Sequence, residues 1–178
     1  MKRTFKVINK KVIYQNKFMT LEEYATEVDG KPGIYSVAIR NNGSVAIVER
    51  ADGKFLMVRQ YRFPANQYGW EFPMGGIESG ELPETAAERE LKEETGVEAE
   101  LKPIGTFVPS PGLSPARAYV FYGRATKEEI TDQLTDEITE IKWFDLDEIN
   151  EMVLNGEITD GWTISSLCQW WIFRDRTK

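Results

Sequence analysis

The stretch GGIESGELPETAAERELKEETGV, residues 75–97, is the most informative part of this 178-residue chain. Within it, Pro83 suits the first turn of a helix, and Glu84 favours the positive end of the helix dipole. Gly96 can end the helix, because glycine readily adopts the left-handed conformation that closes many helices. The stretch therefore predicts a loop that leads into a helix over residues 83–95.

Three acidic side chains share one face of this predicted helix, at spacings i, i+3 and i+4: Glu90, Glu93 and Glu94. Ala86 and Ala87 fall on the same side, so the helix can approach another backbone and bring the carboxylates to a partly enclosed site. A hard divalent cation would relieve the repulsion between them, since Mg²⁺ and Mn²⁺ accept oxygen ligands and retain water or substrate phosphates. The alternative is a solvated acidic helix whose charges pair with Arg89 and Lys92.

The whole chain has a net charge of −7, from 22 Lys plus Arg and 29 Asp plus Glu, and it contains no histidine. Residues 75–97 hold seven acids and two bases, so five of the seven net negative charges lie in this one segment. Without imidazole the chain cannot build a His-based catalytic triad, a His-ligated zinc site or a haem with a proximal His. The acidic balance argues against nucleic acid as a partner, because nonspecific binding to a duplex needs a basic surface.

The composition also indicates where the protein works. With one cysteine, Cys168, the chain cannot form an intramolecular disulfide framework, which favours a reducing, cytoplasmic location. No apolar stretch suits a signal peptide or a membrane span, so we expect a soluble protein without a membrane partner. Hydrophobic residues make up 41% of the chain, enough for a core in one domain with a small appendage.

The first 36 residues predict a small antiparallel β-sheet. Runs of β-forming residues lie over 4–8, 11–14 and 18–24. Turn-like pairs at Asn9-Lys10 and Gln15-Asn16 separate these runs, and a stronger break follows at residues 29–33.

The rest of the chain interleaves strands and helices. Strands are predicted over residues 44–49, 55–61, 100–108, 116–124 and 138–144, and further helices over 147–155 and 164–173. Asp52-Gly53 favours a tight hairpin turn between the first two of these strands. The pattern predicts an α/β fold in which a mixed β-sheet lies between helices.

The spacing within residues 75–97 resembles the box that defines the Nudix hydrolases. Gly75 is followed after five residues by Glu81 and, after seven more, by the run RELKEETGV at 89–97. Every fixed position of the motif is present. The resemblance implies a Nudix fold and an enzyme that cleaves a diphosphate linked to another moiety, using Mg²⁺ or Mn²⁺ as cofactor and water.

The same resemblance implies roles position by position. The metal ligands would be three helix glutamates, a backbone oxygen before the loop and an acid within it: Glu90, Glu93, Glu94, Met74, Gly75 and Glu81. For Glu81, structural support of the loop is the alternative. Arg89 is similar to the family arginine that orients the helix carboxylates. Gly76 and Gly80 would let the loop turn and approach the helix closely.

Further segments resemble the ADP-ribose pyrophosphatase group of this family. VRQYRFP (58–64) and GWEFPMGG (69–76) look like the strand and the approach that precede the box in that group. SPGLS (110–114) is similar to its loop beyond the box, and GEITDGWTISSL (156–167) to its C-terminal segment. Members often carry an alanine where this chain has Gly161-Trp162, so Trp162 either reshapes the pocket or fills the core.

This resemblance also implies the substrate contacts, and the candidates are Arg62, Arg59, Trp70, Ser110, Pro111, Gly112 and Phe18. Arg62 is our choice for the diphosphate, because a guanidinium can form two charge-assisted bonds to phosphate oxygens. Phe18, Tyr14 and Tyr35 are candidates for stacking on the base. The N-terminal strands of this group commonly pack on a second subunit. We therefore expect a homodimer through residues 1–36, with residues 37–178 as the Nudix hydrolase domain.

In a chain without histidine, a carboxylate is expected to take the proton from the attacking water. In related enzymes a glutamate in a loop after the box does this, and Glu137 best matches that position, with Asp136 and Glu140 as alternatives. The expected reaction converts ADP-ribose to AMP and ribose 5-phosphate. GDP-mannose, another nucleoside diphosphate sugar or a nucleoside triphosphate is the alternative substrate. A Nudix-like module that binds a nucleotide sugar without cleaving it is the alternative of another class.

Overall fold

A computed structural model of the protein describes residues 4–131 and 137–176. The described residues form two compact units. One comprises residues 4–42 and 108–117, and the other comprises residues 43–107, 118–131 and 137–176.

The first unit contains a three-stranded antiparallel sheet of β1 (Phe5–Gln15), β2 (Thr20–Val28) and β3 (Lys31–Ile39), in the order β1-β2-β3. The predicted small N-terminal β-sheet is thus confirmed, but the break at Asn9-Lys10 is wrong because β1 runs through it. The ladder between β1 and β2 shifts register between Val7 and Asn9 and again between Val12 and Tyr14. Such bulges accommodate an extra residue without ending a strand.

The predicted break at residues 29–33 is shorter in the structure. Only Asp29 and Gly30 adopt the left-handed conformation, with φ of 50° and 80°. These are the two central residues of a tight hairpin turn, so β3 begins directly afterwards at Lys31.

The second unit contains a mixed seven-stranded sheet. Its strands are β4 (Gly43–Glu49), β5 (Phe55–Arg62), β6 (Gln67–Glu71), β7 (Met74–Gly76), β8 (Glu98–Phe107), β9 (Ala118–Lys127) and β10 (Ile138–Phe144). The main path runs β10-β5-β4-β9-β8, with β6 beside β5 and β7 beside β4. The pairing of β4 with β9 is parallel and the other pairings are antiparallel.

In the described residues three α-helices accompany this sheet, α1 (Pro83–Thr95), α2 (Leu146–Asn155) and α3 (Gly161–Arg176), and a short 3-10 helix (Phe63–Ala65) joins β5 to β6. Helix α1 has the predicted bounds and ends at Gly96, whose φ is 75°. Helix α3 begins three residues earlier than predicted. The Asp160 carboxylate accepts a hydrogen bond of 2.7 Å from the Thr163 backbone N–H and so satisfies a donor of the first turn.

The helices cover both faces of the sheet, as the alternation along β4 shows. Val45 and Ile47 pack with side chains of α2 and α3, including Ile149 and Trp170. Ala46 and Val48 pack on the other face with α1, through Ala87 and Leu91. The predicted α/β fold with a mixed sheet between helices is therefore confirmed. None of the helices in the described residues is long and apolar enough to cross a membrane.

Candidate active site

The loop before α1 holds one helix glutamate against its backbone. A Cβ placed on Gly75 would lie 2.0 Å from Glu90 Cδ, so any larger residue there would displace the Glu90 carboxylate from its place against strand β7. We predicted this role for Gly76, but nothing lies within 4 Å of a Cβ built there. Gly80 does turn the loop, with φ of 84°.

Glu94 connects the same helix to the same strand. Its Oε2 accepts a hydrogen bond of 3.2 Å from the backbone N–H of Met74, and its side chain is only partly exposed. Burial, and then the negative charge of Glu90, raise the pKa of Glu94 to about 8. Burial also raises the pKa of Glu90, although Arg89 opposes it. Two carboxylates are thus crowded between α1 and β7.

Arg89 lies at the centre of the loop-helix contact and uses all five of its N–H donors. Its Nε and Nη2 donate to Glu81 at 2.9 and 3.1 Å, and Nη2 also donates to the Gly76 carbonyl oxygen at 3.0 Å. Its Nη1 donates to Glu90 at 2.8 Å and to Glu93 at 3.2 Å. These bonds hold Arg89 against the loop and two helix glutamates, and its orienting role in the reaction stays a prediction.

The two remaining acids of the box differ in their surroundings. Glu81 accepts from Arg89 and from the Glu78 backbone N–H at 2.9 Å, and hydrogen bonding to Arg89 lowers its pKa. Glu81 therefore braces the loop against the helix, which agrees with the structural alternative; its metal contact stays a prediction. The Glu93 side chain is 62% exposed, so it faces the solvent side of the cluster.

The residues of this cluster suit a divalent cation. Within residues 4–131 and 137–176, no three acidic, histidine or cysteine side chains already form a group that could hold a metal ion. Arg89 instead binds one oxygen of Glu90 and one of Glu93. However, crowded carboxylates with raised pKa values are oxygen ligands that a hard cation would stabilise in their charged form. Glu90, Glu93 and Glu94 are therefore the residues that could hold it.

Arg62 faces the same side of the sheet as α1 and has a partner that the sequence analysis missed. Its Nε donates to Glu71 Oε1 at 2.9 Å, and its Nη2 donates to Glu71 Oε2 at 2.5 Å. Burial raises the pKa of Glu71, and Arg62 opposes that shift. The charges of Asp160 and Glu94 also act on Arg62, so this pair lies close to the helix glutamates. An acid between Trp70 and Phe72 was the available signal, since a charge flanked by large apolar residues needs a buried partner.

Arg59 and Trp70 are directly paired across β5 and β6, on the opposite face of the sheet from Arg62. Trp70 is buried and its ring packs edge-on against Phe144, with centroids 4.7 Å apart. Arg59 Nη1 donates to Glu140 at 2.7 Å. The two residues line a groove of about 270 Å³ together with Tyr68, Gly69, Glu140, Lys142 and Glu157. The structure therefore separates Arg59 and Trp70 from Arg62, and their substrate contacts stay predictions.

The acids predicted as general base also divide between the two faces. Glu137 Oε2 accepts a hydrogen bond of 3.3 Å from Gln60 Nε2, and Gln60 alternates onto the same face of β5 as Arg62. Glu140 forms ion pairs with Lys142 and Arg59, which lower its pKa and make it a weaker base. Asp136 lies outside the described residues. Of the two candidates within the described residues, Glu137 lies on the face that carries the helix glutamates, and its role as general base stays a prediction.

The remaining predicted contacts belong to the first unit. Ser110, Pro111 and Gly112 lie in a turn closed by hydrogen bonds of 2.9 Å from the Leu113 and Ser114 backbone N–H groups to the Ser110 carbonyl oxygen. The Phe18 ring is exposed, with the Lys17 ammonium 4.6 Å from its centroid. The structure leaves the substrate contacts of these residues as predictions.

Trp162 packs beside the loop before α1. A Cβ on Gly43 would lie 2.7 Å from Trp162 Cζ3 and 2.9 Å from the Gly75 carbonyl oxygen. The Trp162 ring also packs edge-on against Phe107, with centroids 6.0 Å apart. Of the two interpretations, the structure supports the packing role, at a position that supports strand β7.

Comparison with known proteins agrees with this site. The sequence profile of the NUDIX domain matches residues 40–161, a range that contains the loop, helix α1 and strand β5. The chain therefore belongs to the Nudix family and is a Nudix hydrolase. Hydrolases of this family generally use divalent metal ions.

Relatives along most of the chain show which members it resembles. An ADP-ribose pyrophosphatase of Bacillus subtilis (strain 168) is 33% identical over 162 residues, which cover 89% of this chain and 88% of that protein. A methanol dehydrogenase activator of Bacillus methanolicus is 31% identical over 163 residues, with the same two coverages. A crystal structure of an ADP compounds hydrolase covers 99% of this chain and 96% of its own with a TM-score of 0.81, at 19% identity. This last likeness shows the fold.

Proposed function

We propose that this Nudix hydrolase cleaves the diphosphate bond of a nucleoside diphosphate sugar, with ADP-ribose as the favoured substrate and AMP and ribose 5-phosphate as products. The observation that carries the proposal is the placement of Glu90 and Glu94 between α1 and β7, on the same side of the sheet as Arg62. Carboxylates and a guanidinium on one face suit a diphosphate held together with a cation. The 33% identical relative named ADP-ribose pyrophosphatase supports this choice of substrate.

Mg²⁺, or Mn²⁺ in its place, would be held by Glu90, Glu93 and Glu94, with Glu81 and the backbone at Met74-Gly75 as further donors. When bound, such an ion neutralises phosphate charge and lowers the pKa of water. Arg89 keeps the glutamates oriented through its bonds to Glu90 and Glu93.

The remaining steps belong to the chain's own side chains. Arg62 binds diphosphate oxygens through the part of its guanidinium that Glu71 leaves open. Glu137 takes the proton from water as the water oxygen attacks one phosphorus. The bond between that phosphorus and the bridging oxygen breaks, and the second phosphate group leaves with the bridging oxygen. Phe18, Ser110, Pro111 and Gly112 are proposed contacts for the nucleotide and the sugar.

We also propose a homodimer formed through residues 1–36, with residues 37–178 as the hydrolase domain. All eleven residues of β1 are exposed, including Phe5, Val7, Val12 and Tyr14. A small sheet that leaves so many apolar side chains uncovered gains stability when a partner covers them. Sedimentation of the intact chain over a range of concentrations tests this proposal, and a stable monomer at all of them contradicts it.

For location, the single cysteine of the chain, Cys168, is the observation that favours the cytoplasm. Fractionation of cells that express the tagged protein tests it.

A second candidate function is a module that binds a nucleotide sugar and acts through a partner. The relative named methanol dehydrogenase activator, 31% identical to this chain, is the observation that favours it. The glutamates of the box, which a binding module does not need, favour hydrolysis.

One screen separates these functions. The intact protein is incubated with a panel of nucleoside diphosphate sugars and nucleoside triphosphates, with Mg²⁺ or Mn²⁺, and phosphate is measured after coupling to a phosphatase. More phosphate released from ADP-ribose than from any other compound supports the proposal. If GDP-mannose or a triphosphate releases more, that compound is the preferred substrate instead. Binding of a compound without any release supports the module.

A further inference from the structure

Glu71 is the most deeply buried charged residue in the described part of the chain, with 1% of its surface exposed. Strand β6 carries it directly opposite Val58 of β5, on the face of the sheet that bears α1. Its two oxygens bind the Nε and Nη2 edge of Arg62 at 2.9 and 2.5 Å, in the parallel arrangement that carboxylate and guanidinium groups favour.

Burying the charge of Glu71 beside Arg62 costs free energy. A buried carboxylate loses its hydration, and a buried ion pair often contributes no more stability than apolar residues of similar volume. The surroundings on this face of the sheet include the apolar side chain of Val58, which lies directly opposite Glu71 and is buried as well. Stability alone therefore does not explain an acid at this position.

The pair fixes the direction of the Arg62 guanidinium. Glu71 occupies its Nε and Nη2 edge, and Nη1 has no hydrogen-bond partner among the described residues. The Arg62 side chain is 40% exposed, so a ligand can reach that remaining edge. Arg62 lies on the face of the sheet that bears α1 and its glutamates, and the charge of Glu94 acts on Arg62.

We propose that Glu71 is a positioning residue for the reaction: it holds Arg62 by one edge and so presents the Nη1 edge to the diphosphate of the substrate. This inference rests on the proposed hydrolase function. It extends that function by assigning a role to an acid that lies outside the box and does not touch the substrate. A flexible arginine would lose side-chain freedom on each binding event, whereas this one is oriented before the substrate arrives.

The test compares Glu71→Gln with Arg62→Lys and with the double variant, using ADP-ribose and Mg²⁺. We expect Glu71→Gln to lower kcat/KM by roughly 10- to 100-fold, because a small displacement of an orienting group has that effect. The double variant should be no worse than Arg62→Lys alone, since a lysine has no guanidinium edge for Glu71 to orient toward the substrate. Unchanged kcat/KM in Glu71→Gln, or losses that multiply in the double variant, would overturn the proposal.

Asp52→Asn is the matched control. Asp52 also binds an arginine through two oxygens, with Arg50 Nε at 2.9 Å and Nη2 at 2.5 Å, but this pair is exposed in the β4–β5 hairpin. The Asp52→Asn variant should retain the wild-type kcat/KM. Glu71→Met is the variant to use if glutamine prevents folding, because an apolar side chain of similar volume suits the buried position, and the Arg62 side chain, 40% exposed, can still be hydrated. Folded Glu71→Met with full activity would also overturn the role.

A second readout does not need activity. The ¹⁵Nε–¹H NMR signal of Arg62 should exchange slowly with water in the wild type and lose that protection in Glu71→Gln or Glu71→Met. If the wild type hydrolyses no compound, the proposed function fails while this signal still decides whether Glu71 holds Arg62. Equal exchange in the wild type and the variants would overturn the inference.

Discussion

Strand β5 presents one arginine to each face of the sheet, and the two arginines differ in how firmly they are held. Arg62 pairs with Glu71 on the α1 face, and Arg59 pairs with Glu140 on the α2 and α3 face. The Glu71 side chain is 2% exposed, and its one ion pair among the described residues is with Arg62. The Glu140 side chain is 32% exposed and pairs with both Arg59 and Lys142. Residues of one type, three positions apart, thus lie on opposite faces with different partners, because the side chains of a strand alternate between its two faces.

The energetic difference follows from the solvent. Exposed ion pairs contribute about 0–1 kcal/mol, because water screens them and both side chains lose freedom. Breaking a buried pair from one side costs about 3–5 kcal/mol, since the other charge stays behind without a partner. Arg62 on the α1 face should therefore be held more firmly than Arg59, and the α1 face is the one that carries the box glutamates.

The largest effect is expected from the α1 face itself. Glu94→Gln should keep the fold but lower metal-dependent turnover by about 1,000-fold, since a bound cation supplies several kcal/mol of stabilisation. Steady-state kinetics with Mg²⁺ check it. Glu88→Gln is the control, because Glu88 is an exposed acid of the same helix. Full activity of Glu94→Gln would show that the catalytic cation does not bind at the glutamates of this face.

Glu137→Gln should reduce kcat by roughly 100-fold and leave the affinity for Mg²⁺ nearly unchanged, as expected for loss of a general base. Glu137 reaches the α1 face through its bond to Gln60. Kinetics at saturating substrate and a metal titration measure the two quantities. An unchanged kcat would show that Glu137 is not the general base and would leave Asp136, Glu140 or an acid of the box as the candidates.

The two arginines can be compared directly. Arg62→Ala should raise KM for ADP-ribose by roughly 10- to 100-fold, since charge-assisted bonds to phosphate are lost. Arg59→Ala should have a smaller effect, because Arg59 lies on the opposite face. Initial rates over a range of substrate concentrations give both values. Equal losses would show that the two faces do not divide the function in this way.

The smallest effect concerns pH in the absence of metal. The pKa of Glu94 is about 8 in the folded protein, above its ordinary value of 4.5. A raised carboxyl pKa means that the folded state binds the proton more tightly, so its stabilising effect is complete below about pH 4.5 and is lost by about pH 8. Denaturant unfolding in EDTA should show the free energy of unfolding falling more steeply in the wild type than in Glu94→Gln between pH 5 and 8. Parallel pH profiles would contradict the shift.

The sequence predicted well what depends on neighbours along the chain. Pro83 and Gly96 act on their own turn, so the bounds of α1 were correct. The box likewise brought Arg89, Glu90 and Glu94 together because they lie on adjacent turns of one helix.

What the sequence did not predict depends on strand register and packing. The partner of Arg62 is set by the pairing of β5 with β6, so Glu71 was missed. The same pairing put Arg59 on the face away from Arg62. The continuous β1 depends on bulges against β2. Gly75, and not Gly76, makes the close approach because β7 places its backbone directly under Glu90.

The most direct test of the account is the hydrolysis of ADP-ribose by the intact protein, with Mg²⁺ and with EDTA, followed by chromatography of the products. We expect equal amounts of AMP and ribose 5-phosphate with Mg²⁺ and neither product with EDTA. Intact ADP-ribose in the presence of Mg²⁺, or the same products in EDTA, would contradict it.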